Sequence, residues 1–156
     1  MPIEIDIPGF GFLRLSHLVS DYNGTLALDG RLIPGVREGL LKVASFLKIH
    51  IITADTFGRA TEELRGLPVD LFILDPGHER ESKGRFVSSL EGGVAVLGNG
   101  SNDLSMMEKG DLSIALLGGE GLYPPLLTRA HVVMRSAVDA LGLFLKPERL
   151  KATLRS

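Results

Sequence analysis

Apolar residues in this chain fall into short runs that switch between two periods. The opening Ile3-Glu4-Ile5-Asp6-Ile7 alternates apolar and acidic residues, then meets Pro8-Gly9 and continues through Phe10, Phe12 and Leu13. That pattern predicts a β-hairpin with a Pro-Gly turn. His17-Leu18-Val19-Ser20 is a short apolar run ending at Asp21, and it reads as a buried central strand. Residues 26–33 turn around Asp29-Gly30 as a small flap hairpin. Pro34 then suits the first position of a helix with Val36, Leu40, Leu41, Val43, Ala44 and Leu47 on its apolar face.

The alternation then repeats. Strands are expected at 49–53, 70–74, 94–97, 112–116 and 131–133, and helices at 57–65, 82–90, 101–109, 124–130 and 137–145. Continuous apolar strands between amphipathic helices imply a parallel sheet covered on both faces, an α/β fold. With no internal repeat, low-complexity tract or linker, residues 1–156 are expected to form one domain. Ligands in such sheets bind beyond the carboxyl ends of the strands. Those ends carry Asp21, Thr53, Asp55, Asn99 and Asp103.

Composition narrows the function. Hydrophobic residues make up 44% and charged residues 23%, which is globular and not disordered. A formal charge of −2 lacks the overall basic field that favours nucleic acid. Cysteine is absent, which removes thiolate catalysis, disulfides and cysteine-ligated metals. His17, His50, His78 and His131 are scattered without ligand spacing, and Met106-Met107 reads as helix core. Glu4 and Asp6 stand where a secretory leader would be basic and then apolar, and no apolar stretch approaches the roughly 20 residues of a membrane span. A soluble cytoplasmic protein with neither a nucleic acid nor a membrane partner is the expectation.

The strand-end residues suit phosphoryl chemistry. Transfer of a phosphoryl group to a carboxylate needs an ionised nucleophile, a cation against the phosphoryl oxygens and donors that hold them in line. Mg²⁺ takes hard oxygen ligands, with one or two carboxylates beside waters and phosphate. Asp21 can serve as nucleophile and metal ligand, and Asp103 as the second carboxylate. Asn99 and the Asn23 carbonyl add neutral oxygens. Gly24 lets the backbone approach the phosphate, Thr25 and Thr53 offer hydroxyls, and Lys83 offers a fixed positive charge, with Arg85 as its rival. Each has a plainer reading. Gly98 to Gly100 can be a simple strand–helix turn with Ser101 as cap, Asp103 can stabilise a helix dipole, and Thr53 can cap a turn.

Three segments, taken in order, carry a resemblance. Asp21-Tyr22-Asn23-Gly24-Thr25-Leu26 resembles the first motif of the haloacid dehalogenase (HAD) superfamily. Ile52-Thr53-Ala54-Asp55 and Gly98-Asn99-Gly100-Ser101-Asn102-Asp103 resemble motifs of P-type ATPase phosphorylation domains, as does the continuation from Gly110 to Ala115. The resemblance implies a Rossmann-like fold, Mg²⁺, a phosphorylated substrate and an aspartyl-phosphate on Asp21. It also implies that Thr53 and Lys83 hold the phosphate, and it brings Ala54 and Asn102 into the substrate-binding set. Asp103 is implied as a metal ligand.

Two positions depart from the pattern. Asn23 stands where phosphatases carry their general acid/base, so slow turnover or a long-lived intermediate is expected. Asn99 replaces a common aspartate, which lowers the charge available to Mg²⁺. The stretches 25–53 and 55–83 are too short for a cap domain, so the substrate is expected to be large or a second subunit to serve as lid, hence a homo-oligomer. A phosphatase or phosphotransferase is therefore the leading expectation. The alternative is a regulatory module that uses phospho-Asp21, or bound Mg²⁺ and phosphate, as a switch.

Overall fold

In the computed structural model, which describes residues 1–55 and 58–156, the Pro8-Gly9 turn joins β1 (Ile3–Ile7) to β2 (Gly11–Ser20). The hairpin arm and the central strand, expected as separate pieces, are one strand of 10 residues. Its first half pairs antiparallel with β1. Its second half pairs in parallel with β5 (Lys48–Thr53) on one edge and β7 (Gly93–Gly98) on the other. Leu15 pairs with both Ile3 and Gly93, so β1 and β5 follow one another along the same edge of β2. The sheet order is β6 (Val69–Ile73), β5, β2, β7, β8 (Leu112–Leu116), β9 (Val132–Met134), with all these neighbours parallel. A small flap, β3 (Ala27–Leu28) with β4 (Arg31–Leu32), follows Asp21.

Side chains alternate between the two faces. Ile49 and Ile51, Ala95 and Leu97, and Leu112, Ile114 and Leu116 enter one core, while Ile52, Val94, Val96 and Ala115 enter the other. On β2 the alternation slips: Leu15 and Leu18, three apart, share a core because the register shifts between Leu15 and His17. A bulge of this kind resets which face later residues occupy. It sends Val19 to the second core and ends the strand at Ser20, one residue before Asp21.

The first core is covered by α1 (Val36–Val43), α2 (Arg59–Glu63), α5 (Ala137–Leu145) and α6 (Glu148–Leu154), and the second by α3 (Glu79–Ser89) and α4 (Leu104–Lys109). Met106 and Met107 are both buried in the second core.

Several boundaries differ from expectation for local reasons. The first helix starts at Val36 and not at Pro34, because Gly35 adopts a left-handed conformation (φ 91°) at its cap. Leu41, placed on the apolar face by period alone, is 47% exposed. Phe57, the expected start of the second helix, lies outside the described residues, and α2 begins at Arg59. Residues 101–103 form a 3₁₀ turn ahead of α4, and residues 124–128 a 3₁₀ helix that opens on two prolines.

The tail from Pro147 forms α6 against β1, and the Ser156 N–H donates to the Pro8 carbonyl at 2.9 Å. His17 and His50 are not scattered: Nδ1 of the first lies 3.0 Å from Nε2 of the second. The Glu91 carbonyl can only accept from His17 Nε2 at 2.9 Å, so a neutral His17 must accept from His50 Nε2–H. Among the described residues no helix is long and apolar enough to cross a membrane.

The bulge depends on a glycine opposite it, since a Cβ on Gly93 would collide with the Arg14 carbonyl oxygen. Gly93→Ala is expected to destabilise the fold by about 1–3 kcal/mol, read as a lower urea midpoint at unchanged slope.

Candidate active site at the carboxyl end of the sheet

The central strand β2 places Asp21 between the ends of its parallel neighbours, and the Asp21 N–H donates to Leu97 O at 3.0 Å. The chain then turns tightly. The Tyr22 carbonyl accepts from the N–H groups of Thr25, Leu26 and Ala27, and Gly24 N–H donates to Ala27 O at 2.7 Å. Gly24 has φ 79°, and a Cβ there would lie 2.7 Å from the Asn99 amide nitrogen. The glycine is thus required for backbone conformation and for close packing of two site loops. The Tyr22 side chain is buried, and its hydroxyl donates to Gly30 O, tying the flap to the same turn.

Lys83 rises from α3 into the middle of the site and is 1% exposed. Its ammonium lies 3.0 Å from Asp21 Oδ1, 2.8 Å from Asp103 Oδ1 and 3.2 Å from Asn102 Oδ1. Arg85, the rival base, points away and bonds Ser82. Asp103 is wholly buried: Oδ1 takes the lysine, and Oδ2 accepts from the N–H groups of Asn99 and Gly100, each at 3.0 Å. A Cβ on Gly98 would come within 2.6 Å of that carboxyl.

Burial, with the Asp103 charge adding to it, pushes the Asp21 carboxyl up from 3.8 to about 7, against the pull of Lys83. Burial alone would lower the Lys83 ammonium, but the two carboxylates outweigh it and hold the group protonated, with its affinity for the proton raised. One cation between two carboxylates leaves the pocket short of positive charge.

A cleft of about 640 Å³ opens above this cluster. Asp21, Asn23, Thr53, Ala54, Lys83, Asn99 and Asn102, all expected from sequence, line it. Gly24, Thr25 and Asp103 do not. The Thr25 hydroxyl is wholly buried and donates to Asn99 Oδ1 at 3.2 Å, so it positions Asn99 and does not face the cleft. Asp103 is turned inward to the lysine and the loop amides, which argues against its place as a metal ligand. Asp55 accepts from Ala60 N–H at 3.0 Å and fastens the start of α2.

The cleft also presents residues the sequence reading passed over: Glu79, Arg80 and Glu81 from the first turn of α3, Ser101, and Glu120 from the loop after β8. The Arg80 guanidinium bonds Ser101 through Nε and Nη2. No motif marks these positions. They reach the cleft through the placement of α3 and a glycine-rich loop.

The donor set facing the cleft suits a hard cation. Asp21, Asn23 and Asn99 bring oxygens, and among the described residues no group of three or more His, Asp or Glu side chains converges anywhere. One carboxylate with neutral oxygens and room for waters is a Mg²⁺-type set and unlike a zinc site. A divalent ion would also supply positive charge that favours the ionised form of Asp21.

Because the folded Asp21 carboxyl binds its proton more tightly than the unfolded one, its contribution to stability is full below about pH 4 and is lost as pH rises through 7. In metal-free buffer, Asp21→Asn is therefore expected to match wild type near pH 4 and to unfold at a higher temperature at pH 8. Thermal melts across that range check the sign.

No family model matches the chain. An uncharacterised protein of Methanocaldococcus jannaschii is 37% identical over 62 residues, which cover 40% of this chain and 67% of that one. Solved structures share the architecture at lower identity. The 3-deoxy-D-manno-octulosonate 8-phosphate phosphatase of Yersinia pestis has TM-score 0.66 at 18% identity, over 99% of this chain and 96% of that chain. The Moraxella catarrhalis enzyme of the same name, in complex with magnesium, phosphate and KDO, has TM-score 0.70 at 14% identity, over 90% and 94%. A Streptomyces avermitilis protein described as a HAD family hydrolase has TM-score 0.68 at 16% identity, over 86% and 87%. These likenesses show that the chain has the fold of haloacid dehalogenase superfamily phosphatases, and it belongs to one family with the archaeal protein.

Proposed function

We propose that the chain is a Mg²⁺-dependent phosphohydrolase that works through an aspartyl-phosphate on Asp21. The observation that carries this reading is the Asp21 carboxylate at the base of an open cleft, fixed at 3.0 Å by a lysine that is itself fixed by Asp103 and Asn102. Structural neighbours that act on a sugar phosphate, one of them with magnesium and phosphate bound, support it, as does the P-type-ATPase-like order of the motifs.

In this reading an Asp21 oxygen attacks phosphorus while the bond to the leaving oxygen breaks, and water later attacks the same phosphorus to regenerate the carboxylate. Lys83 keeps the carboxylate oriented and, by exchanging its longest bond, to Asn102, turns one N–H toward a phosphoryl oxygen. Thr53 and the Ala54 backbone contribute neutral donors from the end of β5. Asp21, Asn23 and Asn99 would hold Mg²⁺, which when bound would supply positive charge against the phosphoryl oxygens. Among the described residues no cap stands over the cleft, which favours a large phosphorylated substrate or a second copy of the chain that closes the site.

Asn23 lines the cleft but cannot exchange a proton near neutral pH. That single feature favours a second reading, in which the phosphorylated form persists as a switch. The lifetime of the adduct separates the two.

Incubation with acetyl phosphate and Mg²⁺ is expected to add one phosphoryl mass to the intact protein or to release phosphate. Asp21→Asn is expected to lose both, as is wild type with chelator. Adduct or release in the Asp21→Asn protein would overturn the proposal. Asn23→Asp is expected to speed breakdown of the adduct, read by mass against time. A flat or slower decay would mean that the amide is not what limits turnover.

A further inference from the structure

Hydrolysis of an aspartyl-phosphate needs a group to take the proton of the attacking water, and Asn23 cannot. Four other carboxylates stand in or near the cleft. Asp103 is closed in by Lys83 and two backbone amides. Glu79 is held by the N–H groups of its own residue and Gly77, which lower its affinity for a proton. Glu81 and Glu120 are left, both lining the cleft, and of the two only Glu120 stands on a turn that packs against Gly24, next to Asn23. Among the described residues its carboxylate makes no hydrogen bond or ion pair, and it lines the same cleft as Asp21 and Asn23.

Its position is built. Residues 118–121 read Gly-Gly-Glu-Gly, so Glu120 supplies the only side chain of the turn closed by Gly121 N–H to Gly118 O at 3.0 Å. The turn is fastened on two sides. Asn99 Nδ2 donates to Gly121 O at 3.1 Å, and Tyr123 N–H donates to Asn99 O at 2.8 Å. On the other side, Gly118 and Gly119 seat against the Gly24 carbonyl and flap residue Leu28: a Cβ on them would lie 3.5 Å and 2.9 Å away. The turn therefore abuts the Asn23-Gly24 segment. A carboxylate at position 99 could not donate to Gly121 O, so the amide there has a reason of its own, which is to hold this turn.

We infer that Glu120 is the general base for breakdown of the aspartyl-phosphate, supplying from a second loop the proton acceptor that Asn23 is not. The inference rests on the function proposed above. A water oxygen attacks phosphorus as the bond from phosphorus to the Asp21 oxygen breaks, its electron pair returning to the Asp21 carboxylate. The water's proton passes to Glu120, orthophosphate leaves, and Glu120 gives the proton to solvent.

The test is Glu120→Gln in the whole chain, phosphorylated with acetyl phosphate and Mg²⁺ and followed by intact mass. Adduct is expected to form at the wild-type rate and to last about 10²-fold longer, with the melting temperature unchanged because the side chain is exposed. Adding Asn23→Asp to the variant is expected to restore rapid decay. Decay at the wild-type rate in Glu120→Gln overturns the inference, as does failure of that variant alone to form adduct, which would place Glu120 in binding. If wild type forms no adduct and releases no phosphate, the proposed function itself fails, and the inference with it.

Discussion

The ammonium of Lys83, closed between Asp21 and Asp103 with almost no access to water, is the interaction on which the rest of the site depends. It joins three elements: the end of β2, the middle of α3 and the loop after β7. A buried ion cluster of this kind adds little net stability, since desolvation offsets most of the Coulomb gain, yet removing the lysine would leave two carboxylates facing each other uncompensated. Its effect is on position. Asp103 binds the lysine with one oxygen and the Asn99 and Gly100 amides with the other, so one carboxylate fixes both the cation and the loop beside it.

A second layer of contacts sets the walls. Thr25 orients the Asn99 amide, Asn99 holds the turn at residues 118–121, and that turn rests on Gly24. The loop after β2, the loop after β7 and the loop after β8 therefore form a closed chain of contacts around the cleft, and a change at position 99 is transmitted to all of them. Asn99 reads from sequence as a weakened metal ligand. In the fold it is also a donor that an aspartate could not replace.

Much of the architecture was legible because burial on both faces imposes apolar runs that single-sequence periodicity detects. The strand at 112–116 and the helix at 137–145 fall where the pattern puts them. Boundaries were less legible where a local geometry overrode the period, as at Gly35 before α1 or the double proline before the 3₁₀ helix. The fusion of hairpin and central strand into one β2 was hidden for a similar reason. The bulge near Ser16 breaks the alternation and makes one strand read as two.

The sequence by itself determined the type of sheet, the strand ends that carry polar residues, and the set from which the site is drawn, because these follow from local pattern and from chemistry that only a few residue types can perform. The tertiary structure decided which member faces the cleft and which supports it. Thr25, Gly24 and Asp103 lie behind the surface, Lys83 and not Arg85 reaches Asp21, and Glu120 arrives from a loop with no motif of its own. Those choices depend on contacts between residues far apart in the chain, from Lys83 with Asp103 to Gly118 with Gly24, and a one-dimensional pattern holds no record of them.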